Sequence, residues 1–139
     1  MKKNIFLPLV IFLLIISCEK DNNYIPDVSV NIQIDLNNTS FNGLNSIGGY
    51  VYITGGYKGI IAYRLSQDQF VAFERACPYH PTTDCGRLQV DTSGLYIYDP
   101  VCGSRFVITD GSKISGPAKR PAKTYSTYYD GYYLYIRNP

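Results

Sequence analysis

The sequence predicts an all-β protein, a small barrel or a stack of antiparallel sheets. Three observations carry that expectation. Residues 28–36 (Val-Ser-Val-Asn-Ile-Gln-Ile-Asp-Leu) alternate apolar and polar side chains, the period of two that turns one face of a strand toward a core. Beyond the first 17 residues no stretch sustains a 3.6-residue apolar period with helix caps. Twelve glycines and eight prolines punctuate the chain and leave only short apolar runs between them, the spacing expected of many short strands.

The elements follow in order. Lys2 and Lys3 precede an apolar run over 5–16 broken only by Pro8. That run is shorter than the roughly 20 residues a membrane-spanning helix needs, so it reads as an export signal. It ends in Leu14-Ile15-Ile16-Ser17-Cys18, which is similar to the lipobox cut just before its cysteine in bacterial lipoproteins. Residues 1–17 are thus expected to be a signal peptide, with Cys18 carrying the lipid. Acyl chains anchor a protein through about 0.8 kcal/mol per buried methylene. Residues 18–27 are polar and rich in turn formers, the composition of a flexible tether. The expected location is a bacterial membrane, facing the periplasm or the cell surface. Acidic and lysine residues just behind Cys18 resemble the tags of outer-membrane lipoproteins.

Within the domain at 28–139, further strands are expected at 49–53, 59–65, 70–75, 87–91, 95–98, 105–109, 124–128 and 132–137. Turn chemistry separates them: Gly55-Gly56, Ser66-Gln67-Asp68, Thr92-Ser93-Gly94, Asp110-Gly111 and Asp130-Gly131. About 120 residues remain after the signal, one domain's worth, able to bury roughly two-thirds of its unfolded surface. The formal charge of +2 comes from Lys2 and Lys3, so the mature chain is neutral and nucleic acid is not an expected partner. Fourteen tyrosines and no tryptophan suggest strand faces carrying aromatic rings with polar tips. Their concentration near the C-terminus fits cross-strand pairing in a last hairpin.

The chemistry-bearing residues are few. His80 is the single histidine, and Cys77, Cys85 and Cys102 join Cys18 as the four cysteines. A serine triad would rest on His80 alone and no Gly-x-Ser-x-Gly elbow occurs. Neither Cys77 nor Cys102 lies in a thiol-hydrolase signature, and the glycine pairs lack a phosphate-loop ending. The chain is read as no enzyme, at most a component of electron transfer. Cys77, His80, Cys85 and Cys102 would suit tetrahedral zinc or an iron–sulfur cluster with one histidine. In an oxidising compartment a disulfide competes for the same thiols, and that reading is preferred here, with no cofactor.

Three separated pieces in order resemble a Rieske iron–sulfur domain, over about residues 70–125. A strand runs into Cys77-Pro78-Tyr79-His80. A second loop reads Asp99-Pro100-Val101-Cys102-Gly103-Ser104-Arg105-Phe106. Asp110-Gly111 is followed by Gly116-Pro117-Ala118-Lys119-Arg120-Pro121. The resemblance implies antiparallel sheets carrying an inserted loop subdomain of the cluster-binding type, at about 76–121. It implies a two-iron, two-sulfur electron-transfer centre with a redox partner, and places Gly103, Ser104 and Pro117 around the cluster. Carried over residue by residue, the ligand set is incomplete. Cys77 stands at the first ligand cysteine, but Tyr79 takes the histidine slot and His80 lies one further on. Asp99 takes the place of the second cysteine and Cys102 that of the second histidine. Two histidines bind one iron of a Rieske centre. The resemblance also implies a disulfide linking the two loops. Cys85 with Cys102 is the preferred pair and Cys77 with Cys102 the alternative, adding roughly 3 kcal/mol in the entropic model. The domain would then be a degenerate relative acting as a binding or structural module. Everything rests on the loops near 77–85 and 99–103 meeting beneath the segment at 116–121.

Overall fold

The structure is a computed structural model and describes residues 24–82 and 86–139. The expected signal peptide, Cys18 and Cys85 lie outside the described residues.

Six strands form one antiparallel sheet: β1 (Asn31–Asp35), β2 (Tyr50–Ile53), β3 (Ile60–Arg64), β4 (Phe70–Glu74), and, from the end of the chain, β9 (Thr124–Tyr129) and β10 (Tyr133–Arg137). Their order is β1-β10-β9-β4-β3-β2. The intervening chain supplies a second, four-stranded antiparallel sheet of β5 (Gln89–Val90), β6 (Tyr96–Tyr98), β7 (Arg105–Val107) and β8 (Lys113–Ser115), paired in sequence order. The alternating run at the start of the domain behaves as its pattern dictates. Ile34 is buried while Asn31, Gln33 and Asp35 face solvent. In the terminal hairpin Tyr135 pairs with Tyr128 in register and their rings stack at 5.9 Å between centroids, the cross-strand aromatic pairing that stabilises exposed strands.

β3 and β4 are buried on both faces, which explains their nearly unbroken apolar sequences. Successive side chains on a strand point to opposite sides, so Ile60, Ala62, Phe70 and Ala72 pack into one core with Ile34, Leu44, Leu134 and Ile136. Ile61, Tyr63 and Phe73 pack into another with Leu88, Ile97, Phe106, Ile108 and Cys77. Strands shared by both cores thus bind the inserted sheet to the larger one. Full burial of a large apolar side chain such as Phe73 contributes about 1.5–3 kcal/mol.

Two elements differ from expectation. A 3-10 helix, Thr39–Leu44, follows β1, started by the Asn38 side chain accepting the Ser40 N–H at 2.9 Å. β8 forms where no strand was expected. The end of the expected tether is also held in place: Ile25 is buried, and the Asp27 carboxylate pairs with Lys123 Nζ at 3.0 Å.

Candidate functional site

The two sheets deliver two loops to one place. The first leaves β4 through Cys77, whose side chain is fully buried in the second core. The second leaves β6 at Asp99 and returns into β7 through Gly103 and Ser104. It closes on itself, because the Asp99 N–H donates to the Ser104 carbonyl and the Gly103 N–H to the Asp99 carbonyl, each at 2.9 Å. Gly103 takes φ +74°, a backbone conformation that glycine enters without steric cost.

Cys77, Asp99 and Cys102 present their ligand atoms within 4.8 Å of one another. The two sulfurs stand 3.5 Å apart. Asp99 is wholly buried. Its Oδ1 accepts the Val101 N–H at 2.7 Å and the Cys102 N–H at 3.4 Å, an Asx turn that shapes the loop. Its Oδ2 has no hydrogen-bond partner. Burial pushes the Cys77 thiol well above the usual range. The Tyr79 N–H works in the opposite direction, while Asp99 and Cys102 beside it raise it further. The Cys102 thiol donates to Ser104 Oγ at 3.2 Å, and that hydroxyl also accepts the Ala118 N–H at 3.1 Å. The third segment therefore does lie over the second loop. Gly116, at φ +92°, approaches so closely that a Cβ there would sit 2.4 Å from Ser104 Cα. Pro117 is exposed on this cover.

Not every expected residue joins this group. His80 is exposed, its ring 4.0 Å from that of Tyr79 between centroids, and it is not among the three grouped donors. The preferred disulfide, Cys85 with Cys102, involves a residue outside those described. The alternative pair is in contact but not bonded, since a disulfide needs 2.03–2.05 Å between sulfurs and both thiols are free. A buried polar residue that pattern reading passed over is Glu74. Its carboxylate accepts the N–H groups of Tyr57 (2.7 Å), Lys58 (2.8 Å) and Ala76 (2.9 Å), and the Tyr125 hydroxyl (2.7 Å). It ties the glycine-rich β2–β3 turn to the strand end that leads into Cys77. The only sequence signal was an acid at an inward position of an otherwise apolar strand.

Comparison with solved structures bears directly on this architecture. The chain is similar to the plasma membrane Rieske protein PetC3 of the cyanobacterium Synechocystis PCC 6803, at 18% identity and a TM-score of 0.57, covering 76% of this chain and 98% of that one. The fold is Rieske-like. A chain in the complex of reduced oxygenase and oxidized ferredoxin of carbazole 1,9a-dioxygenase matches at 18% identity and a TM-score of 0.54, over 78% of this chain and 93% of that one. The ferredoxin of carbazole 1,9a-dioxygenase from Nocardioides aromaticivorans IC177 matches at 16% identity and 0.51, over 81% and 99%. No protein-family model and no curated protein sequence matches the chain. No helix among the described residues is long and apolar enough to cross a membrane.

The residues at this site do not fit a Rieske two-iron, two-sulfur centre. One histidine in the whole chain cannot supply the two that a Rieske centre requires. The Cys77 and Cys102 thiols are in direct contact at 3.5 Å. What remains is a pair of thiols and a carboxyl, buried or half-buried, under a proline-bearing cover.

Proposed function

We propose that this protein is an exported, lipid-anchored Rieske-like domain whose cluster site is degenerate. A clamp built on Cys77 and Cys102 joins the two loops where the cluster would be. In this reading the domain is a non-catalytic binding or structural module. Its anchor is lipid on Cys18, behind a signal peptide at 1–17, and it faces the periplasm or the cell surface.

The observation that carries the reading is the 3.5 Å contact between the two sulfurs. It fits a clamp, and the chain's single histidine does not supply the pair that a Rieske centre needs. The test is the full chain purified without added metal. A colourless protein free of acid-labile sulfide is expected, and visible iron–sulfur absorption would refute it. Radiolabelled palmitate should enter the wild-type chain in a bacterial host but not Cys18→Ala.

A disulfide is the second reading of the clamp, favoured by the same sulfur contact. It requires the sulfurs to close by about 1.5 Å, to the length of a covalent bond.

A further inference from the structure

We infer that Cys77, Asp99 and Cys102 together bind a single divalent ion of the zinc class, which serves as the clamp. The inference rests on the proposed loss of the cluster and names what took its place.

Distance is the first argument. An ion bound tetrahedrally at 2.3 Å from each of two thiolates holds their sulfurs about 3.75 Å apart. The two reduced thiols share a hydrogen bond at 3.5 Å, about 0.25 Å from that value and about 1.5 Å from a disulfide, so an ion can replace the shared proton with little movement of either sulfur. The carboxylate also reaches: all three ligand atoms fall within 4.8 Å of one another, so one ion can touch all three with small adjustments.

Asp99 supplies the second argument, independent of the sulfurs. Its side chain is fully buried and its Oδ2 has no partner. Buried carboxylates are paired or coordinate metals. A Cys77–Cys102 disulfide would bring no donor to this carboxylate, whereas a divalent ion held by the same three side chains would compensate it.

Donor chemistry selects the ion. Calcium and magnesium take oxygen ligands almost entirely, while two thiolates with one carboxylate suit zinc and its neighbours. Three protein donors leave one position of the tetrahedron for a further ligand. The surroundings hold the donors in place. Asp99 Oδ1 is fixed by two backbone N–H groups, and Cys102 is buttressed by Ser104, itself bonded to Ala118.

The test uses the reduced full chain under nitrogen, titrated with Co2+ as a spectroscopic stand-in. One equivalent should bind with thiolate-to-metal charge-transfer bands and tetrahedral d–d bands, and Zn2+ should displace it. Cys102→Ala should abolish the bands. Asp99→Asn, close in size, should weaken Co2+ binding at least 10–100-fold, the loss that even outer partners of a ligand cause. Asp99→Cys guards against a folding artefact, since it should restore one equivalent and raise the charge-transfer intensity by about half. No stoichiometric uptake by the reduced wild type, or equal affinity in Asp99→Asn, would overturn the inference while leaving the cluster-free reading intact. Iron with acid-labile sulfide in the isolated chain would instead remove the reading beneath it.

Discussion

Glu74 is a point at which a small change should have a large and calculable effect. Its two carboxylate oxygens each take two bonds: Oε1 from Lys58 and Ala76, and Oε2 from Tyr57 and the Tyr125 hydroxyl. The residue is wholly buried. Tyr125→Phe removes one bond to this carboxylate, and such a bond contributes roughly 1.5–3 kcal/mol. Oε2 keeps the Tyr57 N–H and is not orphaned, so the lower end, about 1.5–2 kcal/mol, is expected. Glu74→Gln should cost more. Its amide NH2 can best face Tyr125, whose hydroxyl can turn to accept. The Tyr57 N–H then meets a donor and stays unpaired in the interior, and the remaining bonds lose their charge assistance, so about 3 kcal/mol is expected. For a domain of this size 1 kcal/mol moves Tm by roughly 3–6 °C, so the Phe variant should melt about 5–10 °C below wild type. Urea unfolding followed by circular dichroism and tyrosine fluorescence, in a chain without tryptophan, measures both. A Tyr125→Phe variant within 0.5 kcal/mol of wild type on the urea scale, or a Gln variant milder than the Phe variant, would refute the account of this carboxylate as the anchor of the β2–β3 turn.

Three further outcomes are expected. Gly116→Ala meets the Ser104 backbone at 2.4 Å and adopts φ +92°, so it should cost about 3 kcal/mol or more and speed alkylation of Cys102 as the cover lifts. Ser104→Ala leaves the Ala118 N–H without its acceptor and should lose about 1–3 kcal/mol, read by the same urea titration. For Asp91, desolvation alone would raise the carboxyl. The Ser93 hydroxyl and the N–H groups of Ser93, Tyr96 and Leu95 outweigh it and bring the value from 3.8 down to about 2. Its stabilising effect is therefore present above pH 4 and lost as pH falls through 2. Asp91→Asn should flatten the acid dependence of stability across that window, and unchanged slopes between pH 4 and 2 would contradict it.

The parts of the fold that could be read from sequence are those where one face is buried and the other wet, or where a glycine turn sets the boundary. Residues 28–36 alternate because β1 is half-buried. β3 and β4 read as apolar runs because they divide two cores, and a run buried on both sides still shows its length between Gly59 and Ser66. The misses have the opposite character. β8, with three exposed residues, is recruited by pairing with β7 and not by burial, so no pattern marks it. The 3-10 helix at 39–44 buries only Leu44 and rests on a cap too short to register as a helical period.

The site divides along the same line. The order of the two loops and their cover was legible because Gly103 is demanded by its positive φ and Gly116 by close backbone approach, and such demands appear directly as residue types. Which side chains meet inside was less so. Cys77-x-x-His80 has a spacing that permits shared ligation, but Tyr79 packs against the imidazole and His80 lies exposed at the surface. Asp99-Pro100 reads first as a turn, and half of Asp99 does make one, through Oδ1. Its side chain is buried beside the two thiols because the strand before it carries Ile97 into the second core. Burial of that kind is a property of the packed sheets, and it turns a common turn former into a third donor beside the two thiols.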